Sequence, residues 1–167
     1  MDRSELAERI VASAGDAVVF VDTEGLVRLW NAGAEDVFGY VAADAVGEPI
    51  DLIIPERFRK PHWEGFEAAM DAGETSYDRG ERLSVPAIGA DGERLSIEFT
   101  VSLIEDGGET MGVAAIVRDV TDEWERRQRR TERIEKLEAR LEELEGGSMN
   151  GSGGESSRNG SEEAPKG

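Results

Sequence analysis

Apolar and polar positions alternate most cleanly where Leu95, Ile97, Phe99, Val101 and Leu103 are separated by Ser96, Glu98, Thr100 and Ser102. A period of two predicts a strand with one buried face. The Asp91-Gly92 pair ahead of it is a hairpin signal. On the other side of that turn, residues 82–88 place Leu83, Val85 and Ala87 on one face. Pro86 has no N–H to give to a ladder, so this strand is predicted at an edge or a bulge. Asp106-Gly107-Gly108 makes the next turn, and residues 111–117 are apolar enough to predict a central strand. Nearer the N-terminus, apolar residues 18–21 meet the turn Asp22-Thr23-Glu24-Gly25, and a second short strand covers 26–30. The pattern therefore yields five strands.

Helical signals fill the remainder. Residues 4–14 read as a lead-in helix, with Ser4 as cap and Leu6, Ile10 and Val11 on one face. Asn31 stands where an N-cap belongs. The helix it opens runs to Phe38 and stops at Gly39, a residue that accepts the left-handed conformation of helix ends. Another short helix stops at Gly47, ahead of Pro49, and residues 51–55 form a brief element closed by Pro55. A longer helix over 56–72 carries Phe58, His62, Trp63, Phe66 and Met70, with Gly73 as terminator. Residues 121–145 are highly charged and free of Gly and Pro. Ile134, Leu137, Leu141 and Leu144 step through them by three, four and three, the spacing of a coiled-coil seam. Basic residues come first in this helix and acidic ones last, the reverse of what a helix macrodipole prefers, which favours pairing with a partner helix.

Five strands with one apolar face must be covered, and the short helices after the second strand are what can cover them. The fold class is α+β: a five-stranded antiparallel sheet with short helices on one face, plus a C-terminal coiled-coil-like helix. The predicted organisation is a lead-in helix over 1–14, a domain over 15–120, the charged helix over 121–145 and a disordered tail over 146–167. The tail is built of Gly, Ser, Asn and Glu, which cannot bury a core.

The beginning of the domain resembles the sensory PAS family. Trp30-Asn31 closes the second strand, followed by Phe38-Gly39-Tyr40, then Val46-Gly47 and Pro49, at that family's spacings. Val117-Arg118-Asp119-Val120-Thr121-Asp122 resembles the family's Asp-x-Thr junction between the last strand and a signalling helix. Thr121 or Asp122 can cap that helix, and Asp119 can hold the junction by hydrogen bonds or an Arg ion pair. The resemblance implies a signal-transduction module that senses a small ligand, gas or redox cue. It would relay the cue through a dimerising helix to a histidine kinase or transcription regulator. The alternative is a ligand-free dimerisation or adaptor module whose core is filled by side chains.

Composition narrows the chemistry. The chain has 167 residues, 37 acids against 19 bases, a net charge of −18, one His and no Cys. Disulfides, thiolate metal sites and thiol catalysis are excluded, and a Ser-His or Cys-His nucleophile has little material. No Gly-rich phosphate loop precedes a helix. The reading is a non-enzyme. Surplus carboxylate disfavours direct nucleic-acid binding, and no apolar stretch reaches membrane-spanning length, so the expectation is a cytoplasmic protein. Scarce lysine with abundant acid further predicts adaptation to a salt-rich, haloarchaeal-type cytoplasm.

Two cofactors follow from the resemblance. The segment from Pro55-Glu56 to His62 is similar to the corresponding helix of oxygen-sensing haem PAS domains, and neutral imidazole is a good iron ligand. In those relatives an arginine that contacts the bound gas or a haem propionate falls where Arg82 stands. The plainer reading of His62 is a residue that caps a helix or pairs with a surface acid. Flavin comes second to haem: Trp30, Trp63 and Asn31 could stack on it or hydrogen-bond it, although a core aromatic and a helix cap account for Trp30 and Asn31 equally. A flavin–thiol adduct is excluded by the missing cysteine. Phe20, Phe38, Phe99 and Met111 are read as core.

Overall fold

The computed structural model describes residues 1–149, so the predicted tail lies outside the described residues beyond that point. The chain divides into two compact units, one of residues 1–124 and one beginning at 125.

In the first unit, β1 (Ala17–Asp22) and β2 (Val27–Trp30) form the N-terminal hairpin. Three short pieces follow: α2 (Ala32–Phe38), α3 (Ala42–Ala45) and a 3-10 turn over Ile50–Ile53. Helix α4 (Glu56–Ala72) leads to β3 (Leu83–Ile88), β4 (Arg94–Asp106) and β5 (Glu109–Asp119). The five strands make one antiparallel sheet in the order β2-β1-β5-β4-β3. The apolar strand β5 is central and the Pro86-bearing strand β3 is at the edge, as their compositions predict. In that position the missing Pro86 N–H costs no ladder bond.

The inward face follows from register. Ala17, Val19 and Val21 of β1 lie opposite Val117, Ala115 and Val113 of β5. Buried Trp30, Phe38 and Ile53 close over this face, and Phe38 is 1% exposed. Trp30 donates its indole N–H to the Tyr40 carbonyl and packs against Phe38 with ring centroids 5.3 Å apart.

Three expectations are corrected. Helix α1 (Arg3–Ser13) is capped by Asp2 rather than Ser4, through a reciprocal box with Glu5. Its apolar face is largely uncovered, with Leu6 49% and Ile10 59% exposed. Met111 is not core but sits near the solvent end of β5 with 45% exposure. Helix α5 (Thr121–Met149) continues four residues past the predicted end, through Gly146 and Gly147. From 125 onward it makes up the described part of the second unit. Its Ile134, Leu137, Leu141 and Leu144 are all exposed.

Candidate functional site

Between α4 and the inward face of the sheet lies an apolar cavity of about 450 Å³. Its floor is built by alternate residues of the ladder, Val113, Ala115 and Val117 from β5 with Ile97 and Phe99 from β4. Helix α4 forms the roof; none of its 17 residues is fully buried, and Trp63 and Phe66 pack half-buried against the core. The space is lined almost wholly by apolar side chains and opens to solvent past Phe58, Tyr77 and Val85. The volume lies within the range of small-molecule sites.

His62 lines the cavity. Its ring packs edge-on against Trp63, with centroids 5.1 Å apart, and stacks on Phe66 at 6.1 Å. Its Nδ1 is buried without a hydrogen-bond partner. Burial pushes the imidazole below its ordinary pKa, against an opposing pull from the Asp51 carboxylate, so the neutral form is favoured. His62 is therefore neither a surface cap nor one half of a surface ion pair.

Trp63 is not part of the cavity wall. Its indole N–H donates to Asp51 Oδ1 of the 3-10 turn at 2.7 Å. Its ring lies so close to Gly25 that a Cβ there would fall 2.2 Å from the ring edge. This contact and the Asp51 bond fix the rotation of α4, and with it the direction of His62.

The remaining sequence candidates lie elsewhere. Arg82 is on the opposite face of the sheet, with Nη1 3.2 Å from Glu98 Oε1. Leu83 pairs with Phe99 and faces the cavity, so its predecessor Arg82 faces away. Trp30 is committed to the Phe38 cluster. Asn31 caps α2 by accepting from Ala34 N at 2.9 Å, and the same Oδ1 accepts from Val18 N at 2.8 Å. Its Nδ2 donates to the carbonyls of Val11 at 2.8 Å, Asp16 at 3.1 Å and Ala14 at 3.4 Å. Every polar atom of this buried side chain is occupied within the protein.

The last strand connects the cavity to the helix that follows it. Asp119 accepts from both the backbone N–H and the hydroxyl of Thr121. Thr121 Oγ1 in turn accepts from Ser96 N at 3.0 Å, while Val120 N donates to the Ser96 carbonyl at 2.8 Å. The backbone of β4 thus grips the junction on both sides. Of the two means foreseen for Asp119 the structure shows the hydrogen bonds, and among the described residues no arginine pairs with it. Arg118 pairs with Asp16 instead, at 3.2 Å. Sequence reasoning missed Asp51, which carries no motif and is identified only by the two side chains that converge on it. Among the described residues no group of three or more His, Cys, Asp or Glu is placed to hold a metal ion, and no helix is long and apolar enough to cross a membrane.

A profile of the PAS domain family matches residues 15–122. An uncharacterized protein of Azorhizobium caulinodans is 33% identical over 121 residues, covering 71% of this chain and 16% of that protein. The sensor protein FixL of Bradyrhizobium diazoefficiens is 24% identical over 136 residues, covering 81% of this chain and 24% of that protein. The chain thus spans a quarter or less of these relatives. Among solved structures, the PAS domain of a Colwellia psychrerythraea protein matches with a TM-score of 0.61 at 21% identity, over 72% of this chain and 99% of that one. The PAS domain of an HTR-like protein from Haloarcula marismortui matches with a TM-score of 0.52 at 20% identity, over 70% and 90%.

Proposed function

The chain belongs to the PAS domain family, and from that premise we propose that it is a sensory module whose cue occupies the cavity beneath α4. The observation that carries this reading is the continuity of β5. Val113, Ala115 and Val117 wall the cavity, and two residues beyond the strand's end at Asp119 stands Thr121, the first residue of α5. An occupant that shifts β5 also shifts the hydrogen-bonded junction at Asp119, Thr121 and Ser96. Helix α5 then carries the change to a partner. The exposed Ile134, Leu137, Leu141 and Leu144 seam supports a second copy of this chain as that helix's partner. Similarity to a sensor protein and to a sensor histidine kinase PAS domain supports a kinase or regulator as the recipient.

The relay is tested by introducing a cysteine at Glu135, which labels uniquely because the chain has none, and measuring the spin-label distance between protomers. Ala115→Phe fills the cavity in place of a ligand and is expected to shift that distance. Adding Thr121→Val is expected to abolish the shift while the filled core remains. A monomer in sedimentation, or a distance indifferent to Ala115→Phe, overturns the reading.

The residues present do not fit either cofactor that the resemblance suggests. His62 is a suitable axial donor, but the cavity wall offers no Arg or Lys to meet a haem's two propionates, and Arg82 is on the other face. A flavin needs amide-type partners for its ring edge. No Asn or Gln lines the cavity, and Trp30, Asn31 and Trp63 are engaged elsewhere. Protein produced with haem and flavin in excess is therefore expected to show neither a Soret nor a flavin band. A Soret band lost on His62→Ala would reverse that assignment.

A further inference from the structure

We propose that the cavity takes an uncharged, predominantly apolar molecule carrying one polar group, and that it rejects anions. This inference rests on the reading of the cavity as the sensory site and names the chemical class of its occupant. The wall presents no Asp, Glu, Lys, Arg, Asn or Gln; its polar side chains are His62 and Tyr77, since Ser84 pairs with Glu98 on the other face of the sheet. A charge moved from water into such a space finds neither a counter-ion nor a set of hydrogen bonds, and that desolvation is not recovered. His62 does not supply the missing cation, because burial holds it neutral. It supplies instead an imidazole able to hydrogen-bond a hydroxyl or carbonyl. The entrance is apolar as well. Phe58, Tyr77 and Val85 line the cavity while remaining 36%, 47% and 40% exposed, so a hydrophobic molecule meets matching surface before it enters.

Size favours a small molecule over a peptide segment. A space of about 450 Å³ suits one small organic ligand, whereas a helix about 10 Å across does not fit beneath α4. The chain's net charge of −18 also repels anions, but that long-range effect is screened within about 3 Å at 1 M salt. The discrimination drawn from the cavity wall is local and persists in molar KCl, which separates the two causes.

The test uses the full chain in molar KCl at about pH 8, where a fatty carboxylate is ionised. The neutral fluorophore N-phenyl-1-naphthylamine is titrated in, then displaced by 1-decanol or by decanoate below micelle-forming concentrations. The expected result is saturable binding of one fluorophore, displacement by decanol, and displacement by decanoate weaker by roughly tenfold or more. Val85→Trp, on the edge strand at the entrance, is expected to weaken fluorophore binding. Leu83→Arg, which places a cation on the cavity face of β3, is expected to raise decanoate affinity toward that of decanol. Decanoate binding as tightly as decanol in the unsubstituted chain overturns the ligand class and leaves the sensory-cavity reading intact. Absence of saturable binding, or binding indifferent to Val85→Trp, overturns the cavity reading and this inference with it.

Discussion

Asn31→Asp is expected to destabilise the domain by roughly 3–5 kcal/mol, as much as Asn31→Ala. Aspartate is as good an N-cap as asparagine, so a residue that merely opened α2 would tolerate the exchange. Here the cap is only one of its bonds. Nδ2 faces the carbonyl oxygens of Val11, Ala14 and Asp16, three acceptors with no donor among them. A carboxylate oxygen in that position meets them without a proton to share. Alanine leaves the Val18 and Ala34 N–H groups without their acceptor. Each orphaned buried group costs about 1–3 kcal/mol. Urea denaturation of the three proteins checks this. Asn31→Asp within about 1 kcal/mol of the parent would show that the bonds to the α1–β1 connection contribute little.

Gly25→Ala is expected to cost about 3 kcal/mol, more than the same exchange at an ordinary turn. Gly25 has a φ of +81°, where a Cβ is disfavoured by about 1–2 kcal/mol. The added methyl also meets the Trp63 ring at 2.2 Å, and the ring cannot swing away without breaking its bond to Asp51. The two costs separate in a double-mutant cycle. Trp63→Leu removes the clash, so Gly25→Ala in that background should cost only the backbone part. Equal costs in both backgrounds would mean that Trp63 is free to move, and that it does not fix the direction of His62.

Much of the fold was readable from local pattern. Alternation at Leu95, Ile97, Phe99 and Val101 gave β4 its inward face, and Pro86 with the apolar run of 111–117 placed the edge and the centre. These features are encoded within a few residues of one another. The lead-in helix was readable as well, and only its cap was misplaced, at Ser4 instead of Asp2. Leu6 and Ile10 make an apolar stripe, but a stripe says nothing of whether the same chain covers it. At the site, His62 was legible because histidine occurs once and lies on the inward side of α4. Arg82 was not. Spacing located it near the start of β3, yet which face it takes depends on the register of Leu83 with Phe99, a pairing across 16 residues. Asn31 was legible as a cap, while its bonds to Val11, Asp16 and Val18 come from segments 13 to 20 residues away.

The absence of any buried residue from α4 has a kinetic consequence. A helix with no fully buried side chain, held to the core by half-buried Trp63 and Phe66 and carrying Pro61 within it, can detach at a fraction of the free energy that global unfolding requires. Its amides should exchange with solvent long before those of β1 and β5, which hydrogen-bond each other along six residue pairs. Lifting of the roof then widens the entrance at Phe58, Tyr77 and Val85 while the sheet stays intact. How fast the domain answers its stimulus is thereby separated from how long it survives, and each can be tuned without disturbing the other.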